Sequence, residues 1–117
     1  MMTTTVINGT QIALATAERL DRLAQLERMG LTSSLVAVTI DKLYDHEITE
    51  ARNKLASFEA ELAEFETQYE MPSAEFFQRF QSGQMGDEMD FFDWSALVQM
   101  INNLRRRLDL LTEESAS

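Results

Sequence analysis

Four carboxylates, Asp87, Glu88, Asp90 and Asp93, crowd into a stretch without any base between Gln84 and Ser95. A hard cation takes oxygen ligands and suits such a set, although the spacing matches no established metal loop. Paired carboxylates also perform acid–base catalysis. A plainer use is structural: acids at the start of a helix cap it and oppose its macrodipole. Turned outward, the same acids form an edge for a basic partner. Phe92 and Trp94 lie in the same stretch, so Asp87, Glu88, Asp90, Phe92, Asp93 and Trp94 form the candidate partner-binding set, with Phe92 and Trp94 included to the extent that they are uncovered.

Little else in the chain points to catalysis. His46 is the only histidine, and it falls on the outer face of its helix when Tyr44 and Ile48 are taken as the inner one. A lone surface histidine makes no nucleophile–base pair. There is no cysteine, which removes disulfides, zinc–thiolate sites and thiol nucleophiles together. Arg105, Arg106 and Arg107 could touch phosphate, but three consecutive helical residues point to different sides, and Asp109, Glu113 and Glu114 follow closely. A solvated helix end is the reading. The expectation is a chain that is not an enzyme and has no cofactor and no resident metal.

Charge narrows the partners. Twenty acidic and ten basic residues give a formal net charge of −10. Phosphate neutralisation drives nucleic-acid binding, so direct nucleic-acid contact is not expected, nor is an anionic membrane surface. No apolar run reaches the roughly 18 residues of a membrane span, and the first residues lack the pattern of a secretory signal. A reducing, cytoplasmic setting is the expectation. Hydrophobic residues make up 44% of 117, ordinary for one globular domain.

The elements that must position these groups are helical. Residues 11–29 read as a first helix, capped by Thr10 after an Asn8-Gly9 turn and closed by Gly30. Residues 1–10 and 113–117 read as flexible tails, with 11–112 a single helical domain; Val6 and Ile7 are alternatively a short extended segment. Thr32, Ser33 and Ser34 supply the next cap. The run Leu35 to Ile40 has the β-branched density of a strand, but it continues without a turn residue into an unusually regular helical period. Tyr44, Ile48, Ala51, Leu55, Phe58, Leu62, Phe65 and Tyr69 step by four and three, the a/d seam of a coiled coil. A helix over 34–69 is about 54 Å long at about 1.5 Å per residue and needs a long neighbour. Phe91, Trp94, Leu97, Ile101, Leu104, Leu108 and Leu111 supply it, in a helix over 90–112 capped by Asp87 or Asp90. The corner between the two bends at Pro72, Gly83 and Gly86 and holds a short helix over 74–82, with Ser73 as its cap and Phe76, Phe77 and Phe80 on its apolar side.

The fold class is therefore all-α: an antiparallel helical hairpin of 34–69 and 90–112, a corner helix, and the 11–29 helix packed alongside. Two heptad seams invite a homodimer completing a four-helix or larger bundle.

The corner also carries a resemblance. The string Phe65-Glu66-x-x-Tyr69-x-Met71-x-Ser73-x-x-Phe76-x-x-Arg79-Phe80-x-x-Gly83-x-x-Gly86-Asp87-x-x-Asp90-Phe91-x-x-Trp94 resembles a family of small, acidic, all-helical bacterial proteins, common in cyanobacteria and regarded as antitoxin-like or uncharacterised. The likeness runs from about residue 35 to 111, and its most specific part is Arg-Phe-x-x-Gly-x-x-Gly-Asp. It carries no catalytic residue. It implies a non-enzymatic, antitoxin-like partner protein, and the net charge of −10 makes a small basic toxin the expected target. The alternatives left open are a scaffolding coiled-coil homodimer and a metal-dependent enzyme using the Asp87–Asp93 carboxylates.

Overall fold

The computed structural model describes residues 9–113 as four helices: α1 (Gly9–Arg28), α2 (Ser34–Tyr69), α3 (Ser73–Gln81) and α4 (Met89–Thr112). The expected tails largely lie outside the described residues, at 1–8 with Val6 and Ile7, and at 114–117. Gly9 and Thr10, expected in the tail and its cap, already belong to α1. The Leu35–Ile40 run is helical: propensity differences of a few tenths of a kcal/mol per residue are small beside the cooperative extension of one long helix.

Three helices end in the same device. Leu31 N–H reaches back to Leu26 C=O and Gly30 N–H to Glu27 C=O, with Gly30 at φ +71°. Gln84 and Gly83 repeat the pattern onto Arg79 and Phe80, with Gly83 at φ +78°. These are Schellman closures, in which a left-handed residue lets the chain satisfy orphan carbonyls. After α2 the left-handed position falls to Glu70, at φ +49°, and Met71 N–H bonds Glu66 C=O. Pro72 then stops any continuation. Gly86, expected at a bend, does not take a positive φ.

The chain divides into two compact units, 1–42 and 43–117. In the first, α1 and the opening turns of α2 face each other across a groove of about 420 Å³, lined by Leu20, Leu23 and Ala24 on one side and Val36, Ala37 and Ile40 on the other. Of Thr32, Ser33 and Ser34, expected to supply the cap of α2, Thr32 donates its hydroxyl to the Glu27 carboxylate.

The second unit is the hairpin. Tyr69 meets Asp90 at one end and Glu47 meets Arg107 at the other, which makes α2 and α4 antiparallel. The expected seam of α4 is its buried face: Phe91, Trp94, Leu97, Ile101 and Leu104 are all buried. On α2, Ala51 is 0% exposed, while the larger seam residues from Ile48 to Tyr69 are half-buried. The corner helix α3 packs on α4 and closes the aromatic end of this core.

Candidate partner-binding groove

The corner is organised around the indole of Trp94. Phe76 stacks on it at a centroid distance of 3.8 Å and 2° between planes, and Phe65 stacks at 5.6 Å and 9°. Tyr69 adds a further ring at 5.6 Å. Trp94 and Phe76 are both 0% exposed. A buried indole needs an acceptor for its N–H, and Trp94 Nε1 donates to Ser73 Oγ at 2.9 Å. Ser73 N–H in turn donates to Glu66 Oε2 at 2.8 Å. The three helices are thus joined by one polar chain, from Glu66 on α2 through Ser73 on α3 to Trp94 on α4.

This arrangement corrects two expectations. Ser73 is not the cap of α3: Pro72 occupies that position, and Ser73 is the first helical residue, with its hydroxyl committed to the core. Trp94 is not part of a surface: it is 0% exposed, with Phe76 and Phe65 stacked against its ring. Phe92 does reach the surface, at 51% exposure, with its ring edge-on to Phe80 at 5.5 Å.

The acidic cluster is divided by the fold. Glu88, rather than Asp87 or Asp90, occupies the cap position of α4, with no side-chain capping bond. Asp90 Oδ2 accepts the Tyr69 hydroxyl at 2.6 Å. That hydrogen bond, then desolvation and the negative charges of Asp90 and Glu88, push the Tyr69 hydroxyl up to about 12. Asp87 and Glu88 are exposed. Asp93 faces a different way, into a groove between α2 and α4.

That groove, of about 440 Å³, is lined by Glu61, Glu64 and Asp93 together with the apolar Phe65, Leu97 and the partly exposed Met100. Its lining contains three acids and no base. Such a trough would hold the methylenes of a lysine or arginine against the apolar side chains while the acids meet its charge. Sequence reading had Asp93 but missed Glu61, Glu64 and Met100. Their signal is positional: Glu61, Glu64 and Gln68 flank the α2 seam at helical spacing, and Asp93, Ala96 and Met100 flank that of α4.

The arginines also have places that their sequence does not announce. Arg105 Nη2 pairs with Glu59 at 3.0 Å, and Arg107 pairs with Glu47. They bridge α4 to α2 rather than merely ending a helix. Exposed pairs of this kind contribute about 0–1 kcal/mol each.

His46 is 69% exposed, as the outer-face reading expects, and lies 3.3 Å from Glu50. Ligand atoms of His46, Glu47 and Glu50 lie within 4.8 Å of one another, which makes them the metal-competent set among the described residues. Each carboxylate already has a cation, Arg107 for Glu47 and Lys54 for Glu50. The Lys54 hydrogen bond, helped by Lys54, His46 and Arg107 charge, holds the Glu50 carboxyl below its usual value. The Asp87–Asp93 carboxylates do not converge in this way.

No protein-family model, curated protein or solved structure matches the chain. No helix among the described residues is long and apolar enough to cross a membrane.

Proposed function

We propose that the chain is a non-enzymatic protein–protein interaction module that receives a basic partner in the α2–α4 groove, acting as an antitoxin-like neutralising protein in the cytoplasm. The observation that carries this reading is the groove itself, with Glu61, Glu64 and Asp93 together with Phe65, Leu97 and Met100. The net charge of −10 supports it, since a long-range negative field speeds encounter with a basic protein. The antitoxin role rests on the corner resemblance. As a homodimer, such a protein would present two grooves to its target.

The test is co-expression with a small basic toxin-like protein encoded by a neighbouring gene, followed by co-purification and calorimetry. The two products should purify together, and binding should weaken as salt is raised. The triple variant Glu61→Lys, Glu64→Lys, Asp93→Lys should abolish capture while keeping the helical circular dichroism signal. Capture unchanged by that variant would remove the groove from the interface.

A further inference from the structure

The unit formed by α1 and the opening turns of α2 has no core of its own. None of its described side chains is buried. Nine large apolar side chains between Ile12 and Ile40 are exposed, from 37% at Ile40 to 71% at Leu35. Monomers seldom expose contiguous apolar patches beyond a few hundred Å². At about half exposure each, these nine offer on the order of 800 Å², the area that each partner buries in a standard-size interface. Pairing α1 with α2 does not dispose of them. Val36 and Ile40 line the groove shared with α1. Leu35 and Val38 stand about 100° or more away around α2 at about 100° per residue, so apolar residues occur on several sides of its first turns. A helix apolar all round is one that expects to be covered.

Charge identifies the occupant. Residues 1–42 carry four acidic and four basic residues, so they are neutral; residues 43–117 carry sixteen acidic and six basic, the whole −10. In a twofold contact a surface meets itself, so any net charge on it repels its own copy. The balanced unit escapes this cost, and its opposite charges fall next to each other, as in Glu18-Arg19, Asp21-Arg22, Glu27-Arg28 and Asp41-Lys42. We infer that the apolar face of residues 9–42 docks a second copy of this chain. The inference rests on the homodimer named above and locates it: self-association belongs to the neutral unit, and the acidic groove of 43–113 is left to the basic partner.

The full chain should show twice the monomer mass in sedimentation equilibrium at high-micromolar concentration. Because the −10 bodies repel, the dimer dissociation constant should fall several-fold as salt is raised, opposite to the salt response of a basic partner. Leu35→Glu with Val38→Glu should halve the mass at the same concentration, with Trp94 emission unchanged as the report that 43–113 remains folded. Phe92→Glu should leave the dimer intact. A wild-type chain that is monomeric at high-micromolar concentration overturns the inference, as does a dimer that survives the Leu35/Val38 pair or is lost equally with Phe92→Glu. The groove variant Glu61→Lys, Glu64→Lys, Asp93→Lys should still dimerise, so failure of partner capture and failure of dimerisation are separate results.

Discussion

Trp94 on α4 donates its indole N–H to the buried hydroxyl of Ser73 on α3, 2.9 Å away. A serine at a helix start ordinarily caps that helix. Here it is turned inward, and the hydrogen bond ties the corner to the hairpin.

Ser73→Ala leaves the buried N–H without an acceptor and should destabilise the protein by about 1–3 kcal/mol. Chemical denaturation followed by far-ultraviolet circular dichroism measures this, in variants with and without Trp94. If the bond is the cause, Trp94→Phe should be less costly in the Ser73→Ala background than in the wild type, with a coupling of about 0.5–3 kcal/mol in a double-mutant cycle.

Tyr69 should ionise near 12 in the folded protein, because its hydroxyl is bonded to Asp90. Its ordinary value is 10.0. A raised folded-state value favours the protonated, folded form, so this contribution to stability is fully present below pH 10 and is lost as pH rises from about 10 towards 12. Near-ultraviolet absorbance should show this late phenolate step, and Tyr69→Phe should remove it. Asp90→Asn should move the step to lower pH.

Glu70 holds the left-handed position that closes α2, at φ +49°. The αL region strains a residue bearing a Cβ, typically by about 1 kcal/mol, and glycine occupies it freely. Glu70→Gly should therefore raise stability by about 0.5–1 kcal/mol, read as an upward shift of the denaturation midpoint. Glu70→Val should lower it.

Ala51 is wholly covered at a seam position where its neighbours Ile48 and Leu55 are larger. Its small side chain suits the space available there. Ala51→Leu should overpack the site and destabilise the fold by about 1–3 kcal/mol, whereas Ala60→Leu, on the exposed side of the same helix, should change stability by less than about 0.5 kcal/mol. Thermal unfolding by circular dichroism distinguishes the two.

Removing Arg105 or Arg107 should matter little. Each pairs with a glutamate across the hairpin, Arg105 at an exposed position and Arg107 at a half-buried one that is still well solvated. Single alanine substitutions should cost about 0–1 kcal/mol, and the difference should shrink in high salt.

Helix type, number and length were legible in the residues because they depend on local pattern. The step of three and four from Tyr44 to Tyr69 needs no tertiary knowledge, and from Ile48 onward it marks the inner side of α2 as observed, whereas Tyr44 at its start is exposed. Gly30, Pro72 and Gly83 mark ends that a backbone lacking a Cβ or an N–H makes necessary. Function in the acidic cluster was not legible in the same way. Successive helical residues point about 100° apart, so four nearby carboxylates serve different surroundings once α4 is seated. Asp90 turns to Tyr69 and Asp93 to the groove, while Asp87 and Glu88 stay outside. Likewise Ser73, Glu66 and Trp94 meet only because α2, α3 and α4 converge, and Glu61 joins Asp93 only because the helices run antiparallel. Periodicity reports which side of a helix faces inward. The register between helices, set by the packing of rings and small residues far apart in the chain, assigns each acid its neighbour and leaves Glu61, Glu64 and Asp93 as the acids of the groove.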